Sequence, residues 1–246
     1  PCYAQMLDQL GKRYRIGWIE AIGMDPRYPV TEGWPHLVQQ LIDTLEREYG
    51  GAPVLGVGHS LGGYLSFLAA VQRPELFRAI VLLDAPVIGG LRGRMLGATK
   101  RLGIVDRVTP AGATRDRRST WDSRAEAKRH FHGRRLFRHF TDACLEDYVH
   151  QGLVRTSGAL RLRIDPQVEY QIYRTIPHGM GRQLRTLRVP GGFVGGEHSD
   201  VVRRAGLGTT RRRFALRKVP GGHLFPFEHP AEAATAVMEL ADTLLS

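Results

Sequence analysis

The sequence has little cysteine. Its two cysteines, Cys2 and Cys144, lie far apart, and neither belongs to a Cys-x-x-Cys pair or a Cys/His cluster. That leaves no basis for a disulfide framework or a zinc site, and free thiols fit a reducing compartment such as the cytoplasm. Long apolar runs are lacking too, since none approaches the ~18 residues of a membrane span. No basic start followed by an apolar stretch marks a signal peptide, although the chain opens at Pro1 rather than at Met. Lysine is scarce, at four of the 35 basic residues, so the formal net charge of +11 rests on arginine. No basic run carries the interleaved aromatics of a nucleic-acid surface, and no nucleic-acid partner is expected. Internal repeats and low-complexity segments are also missing.

What is present is ordinary for a globular chain: 246 residues, 42% hydrophobic and 24% charged. The length suffices for one large α/β domain with a sizeable core. "MLDQLGKR" reads as a short amphipathic helix and "YRIGWIEA" as a strand. In "TEGWPHLVQQLIDTLEREYGG", Trp34, Leu37, Val38, Leu41, Ile42, Leu45 and Tyr49 form the stripe of a helix packed on one face and closed by glycines. "PVLGVG" is a short buried strand, "LGGYLSFLAAVQRP" a helix apolar nearly all round, and "FRAIVLLDAP" another buried strand. Such alternation predicts a mostly parallel sheet flanked by helices.

From Val87 to Leu187 the rhythm stops. This stretch is arginine-rich and mainly helical in pattern, with no buried strand in view, and reads as an inserted cap. The sheet pattern resumes with "VPGGFVGG" and "RRFALRKVPGG", and "PAEAATAVMELADTLL" closes the chain as a helix. The expected organisation is residues 1–86 as the first part of the core, 87–187 as the cap and 188–246 as the second part.

"VLGVGHSLGGYLSF" carries the chemistry. A serine in G-x-S-x-G between a buried strand and a buried helix sits on a turn so sharp that its backbone is strained. Side chains two positions to either side would collide with neighbouring elements, hence Gly58 and Gly62. The turn pushes the Ser60 hydroxyl out at the C-terminal edge of the sheet. It also places the Leu61 N–H at a helix start, where it can stabilise an oxyanion.

A serine hydroxyl needs a base, and His223 in "VPGGHLFPFEHP" follows a strand and precedes the last helix. His229 stands beside Pro230 at that helix start and is less suited. A side chain at His59 points away from where a base must sit. The base needs a carboxylate in turn. "FVGGEHSDVV" offers Asp200, the favoured acid, and Glu197. Asp84, ending "AIVLLD", is the rival from the neighbouring strand end.

With "GHSLGG", "GGEHSDVV" and "VPGGHLFPFEHP" in this order, the chain resembles a capped, esterase/lipase-like α/β-hydrolase over residues 1–246 apart from the divergent cap. The resemblance implies two-step acyl transfer on a small ester-like substrate, with no cofactor or metal, by a monomer or dimer. C–C bond hydrolysis, acyl transfer, perhydrolysis or a non-catalytic ligand-binding role fit the same scaffold. Trp121, Phe131, Phe137 and Tyr148 read more readily as cap core than as an acyl pocket. Family members carry strands before their first helix, and a turn there supplies a second oxyanion donor. Here "PCYAQMLDQL" already reads as that helix. The N-terminal strands are therefore expected to be missing from this chain by truncation.

Overall fold

A buried strand needs backbone partners, and the apolar runs of this chain find them in one another. The computed structural model describes residues 1–156 and 158–246. The strands β1 (Val54–His59), β2 (Phe77–Leu83), β3 (Thr120–Trp121), β4 (Leu153–Thr156), β5 (Ala159–Leu162), β6 (Gly191–Gly196) and β7 (Phe214–Val219) form two sheets. The larger is all parallel, in the order β1-β2-β6-β7. Its register sets His59 beside Leu83 and Leu83 beside Val194, so β1 and β2 end level and β6 runs just past them. Whatever follows these strands is thereby gathered along one edge.

Both faces of the sheet are covered, which is why β2 is apolar almost throughout. Ile80 and Leu82 join one core with Trp34, Leu37, Phe67 and Phe193. Val81 and Leu83, the alternate positions, join the other with Met6, Leu10, Val194, Val237 and Leu240. This is the period of two of a pleated strand buried on both sides. Helix α1 (Ala4–Gly11) and the helix Pro230–Leu245 cover the second face. Helices α2 (Pro35–Tyr49) and α3 (Leu61–Gln72) cover the first. Trp34 starts α2 with φ 63°, fully buried, its indole N–H donating to the Ile172 carbonyl at 3.1 Å and to Thr175 Oγ1 at 3.0 Å. The segment holding Ile172, Met180, Leu184 and Leu187 packs into that same core.

Two expectations change. "YRIGWIEA" does not form a strand: residues 15–19 have no regular structure, and Arg15 lies over the Tyr49 ring. Alternating apolar residues make a strand only beside another backbone. Among the described residues β1 is an edge of the sheet, with β2 as its one paired neighbour. The second change is in residues 87–187, which were expected to lack buried strands. They hold a small antiparallel sheet in the order β3-β5-β4. Trp121, Leu153 and Leu160 of this sheet pack with Phe131, Phe137, Leu145 and Val149 into a third, separate core, with Tyr148 against it. No helix among the described residues is long and apolar enough to cross a membrane.

Candidate active site

The turn from β1 into α3 is as sharp as the glycine pattern implies. Ser60 takes φ 51° and ψ −114°, a backbone conformation that non-glycine residues rarely adopt. Its amide donates to the Leu83 carbonyl at 2.9 Å, and its carbonyl accepts from Tyr64 N–H at 3.1 Å, which pins the turn from both sides. A Cβ on Gly58 would lie 2.2 Å from the Gly62 carbonyl carbon, so Gly58 is required. Gly62 is different: a Cβ there meets nothing within 4 Å. The second required glycine is Gly63, where a Cβ would come within 2.6 Å of Ala85 Cβ and 2.8 Å of the Gly58 carbonyl oxygen. Leu61 is the first residue of α3. An N–H at that position has no acceptor within its helix and is free for a ligand.

His223 lies in the loop after β7. Its Nδ1 is 2.7 Å from Asp84 Oδ2. Asp84 directly follows β2, has φ 48° and is fully buried. It also accepts from Gly196 N–H at 3.0 Å and from the Ser199 hydroxyl. Three donors converge on one carboxylate, which is how a charge is kept inside a protein. A carboxylate can only accept, so the proton of the shared bond belongs to His223 Nδ1, and in the neutral imidazole Nε2 keeps its lone pair. Among the described residues Ser60 Oγ and His223 make no direct hydrogen bond; such contacts are commonly long before a substrate binds.

The carboxylate at His223 is thus Asp84, the expected rival, and not Asp200. Asp200 does not reach His223. It opens the helix Asp200–Ala205, has a side chain 59% exposed, and pairs with Arg203 at 2.6 Å. Glu197 is exposed and lines an open cleft of about 340 Å³ with His198 and Lys218, a cleft that includes neither Ser60 nor His223. The reason is local. Ser199 caps the helix by accepting from Val202 N–H at 3.1 Å, and this turns Ser199 inward to Asp84 and Asp200 outward. Ser199 was not singled out by sequence; the Ser-Asp start of a short helix was the available signal.

His59 is also closer to the site than its place in the sequence implied. Its Nδ1 lies 2.8 Å from the Tyr3 hydroxyl and its Nε2 lies 2.8 Å from the His223 carbonyl oxygen. The two imidazole rings are 4.9 Å apart. Burial, then the neighbouring His223, pushes the His59 pKa down to about 3, so its ring is neutral at neutral pH.

Parallel sheets with a serine elbow at their carboxyl edge are the scaffold of a large group of hydrolytic folds. The model of the alpha/beta hydrolase family matches residues 3–236, and the chain belongs to that family. The monoglyceride lipase homolog of Monkeypox virus is 31% identical over 86 residues, 32% of this chain and 31% of that protein. Mouse monoglyceride lipase is 39% identical over 51 residues, 21% of this chain and 17% of the enzyme. The chain thus spans under a third of the length of the curated relatives it matches. Among solved structures, E-2-(acetamidomethylene)succinate hydrolase superposes with a TM-score of 0.73 at 20% identity, covering 97% of this chain and 87% of that one. An esterase from Mycobacterium tuberculosis gives 0.62 at 21% identity, covering 84% and 66%. At these identities the structures speak for the fold.

Proposed function

We propose that the protein is a serine hydrolase of small or medium carboxylic esters, with Ser60 as nucleophile, His223 as base and Asp84 as the acid that orients it. The observation that carries this reading is the pairing of a strained serine elbow after β1 with a His223–Asp84 bond of 2.7 Å, Asp84 standing after the neighbouring strand β2 and His223 in the loop after β7. The short matches to monoglyceride lipases support an ester as substrate. Ser60 Oγ attacks the ester carbonyl carbon while its proton passes to His223 Nε2. The oxyanion is held by the Leu61 N–H. Collapse expels the alcohol, which takes the proton from Nε2 and leaves an acyl-Ser60. Water then attacks the acyl carbon, giving its proton to Nε2, and the acid leaves as the proton returns to Ser60. Asp84 holds Nδ1–H throughout and stabilises the imidazolium. Residues 87–187 act as the cap over this edge in the same reading.

The test is covalent labelling with a fluorophosphonate probe, followed by a panel of p-nitrophenyl esters of rising chain length. Labelling at Ser60, lost in Ser60→Ala, is the expected result. An unlabelled protein that still hydrolyses the esters would assign the chemistry elsewhere. An unlabelled and inactive protein would favour a ligand-binding role.

A further inference from the structure

The loop that carries His223 is conformationally loose by composition. Gly221 and Gly222 immediately precede the histidine, and Gly221 sits at φ 99°. Something must hold His223 at a fixed distance from Ser60. The Asp84 bond fixes one atom of the ring and leaves the backbone to other contacts. Gly221 accepts from His198 N–H at 3.0 Å, and Gly222 N–H donates to Glu228 Oε2 at 2.7 Å. The backbone of His223 itself is held by a side chain at its carbonyl oxygen, and that side chain belongs to the residue preceding Ser60.

We propose that His59 is a positioning residue: steadied by the Tyr3 hydroxyl, it donates its Nε2–H to the His223 carbonyl and so ties the backbone of the base to that of the nucleophile. This rests on the reading of Ser60 and His223 given above. The polarity of the chain is internally consistent. A carbonyl oxygen only accepts, so Nε2 of His59 carries the proton. Nδ1 is then bare and accepts from Tyr3 O–H. The acceptor role of Nδ1 toward Tyr3 belongs to the neutral ring, and burial keeps the ring neutral. The groups facing His59 are Tyr3 before α1, Phe225 and Phe227 from the short helix Phe225–Glu228, and the charged or titratable Asp84 and His223. Tyr3 is itself wedged against Phe227, their ring centroids 4.5 Å apart, and Phe227 stacks on Phe140 of the inserted region at 4.7 Å.

The test uses His59→Leu, His59→Gln and Tyr3→Phe, assayed on p-nitrophenyl acetate alongside the wild type. Glutamine places an amide N–H where Nε2–H lies in histidine; leucine has no donor. Loss of the brace lets the base drift, so kcat should fall about 10–100-fold in His59→Leu with KM little changed. His59→Gln should recover most of it, and Tyr3→Phe should fall between. Full activity in His59→Leu, or a glutamine variant that folds as stably as the wild type yet is no better than leucine, would overturn the proposal.

Imidazole ¹⁵N NMR supplies a readout that needs no turnover. His59 should appear as the Nε2–H tautomer and stay untitrated from pH 8 to 5 in the wild type, and Tyr3→Phe should mix its tautomers. An Nδ1–H tautomer in the wild type would refute the brace whether or not the ester assay succeeds. Absent turnover with the expected spectrum would instead count against the esterase reading alone. Should His59→Leu fail to fold, Tyr3→Phe and the spectrum decide.

Discussion

Replacing Asp84 by asparagine separates the chemistry of the site from its architecture. Asparagine tolerates the left-handed backbone, φ 48°, at this position. Its carbonyl can stand where Oδ1 accepts from Gly196 N–H. Its amide then stands where Oδ2 meets His223 Nδ1 and the Ser199 hydroxyl. Two amide protons can satisfy both, provided Ser199 turns its hydroxyl and His223 moves its proton from Nδ1 to Nε2. Every buried group keeps a partner, so stability should fall by only about 1–2 kcal/mol. The His223 tautomer, however, is now wrong: Nε2 carries a proton and cannot take one from Ser60. The expected loss in kcat is about 10³–10⁴-fold, or about 4–5.5 kcal/mol of barrier. Asp200→Asn, which touches only an exposed ion pair with Arg203, should stay near wild type. Initial rates on a p-nitrophenyl ester, with fluorophosphonate labelling rates and a denaturant midpoint on the same samples, measure all three quantities. An Asp84→Asn enzyme within threefold of wild type, or an Asp200→Asn enzyme equally impaired, would refute the assignment of the acid.

Two further outcomes follow from the elbow and its neighbour. Gly58→Ala drives a Cβ to 2.2 Å from the Gly62 backbone, where neither β1 nor α3 can move aside, and should destabilise by about 3 kcal/mol or more. Gly62→Ala, in open space, should change stability by under about 1 kcal/mol; equal urea midpoints for the two variants would contradict the geometry. The pH dependence of folding should carry the signature of His59. Its folded value of about 3 lies below the unfolded ~6.5, so the unfolded chain takes up the proton first as pH falls. This contribution to stability is complete above pH ~6.5 and is lost as pH drops toward 3, at of order 1 kcal/mol per pH unit. His59→Gln should flatten that part of the profile in urea titrations between pH 7 and 4.5, and an unchanged slope would remove His59 from the account.

The residues that sequence makes legible are those whose role is written in local spacing. Gly58 and Ser60 announce a turn between two apolar elements, and His223 announces a loop between a strand and the last helix. The carboxylate that meets His223 is not legible in this way. Asp84 N–H donates to the Val194 carbonyl at 2.8 Å, which puts the ends of β2 and β6 side by side. A carboxylate leaving either strand could address the histidine, and the outcome turns on which way Ser199 faces. The strand expected in "YRIGWIEA" shows the opposite limit. Its pattern is right, but a strand is a relation between two backbones, and sequence alone does not show whether the second is there. The small sheet β3-β5-β4 escaped because "LVRT" and "ALRL" are four-residue pieces interrupted by arginine, too short for alternation to stand out.

The bonds that assemble the site join distant parts of the chain. His223 and Asp84 are 139 positions apart, Ser199 and Asp84 115, and His59 and the His223 carbonyl 164. Contacts of such separation form against the entropy of closing long loops and reward the chain only after both flanking pieces are in place. The β1–α3 elbow, by contrast, is local and can form early. A chain with a formed elbow and an unplaced His223 would hold Ser60 without its proposed base. On the proposed reading, reactivity of that one serine would report when the long-range contacts of His223 form.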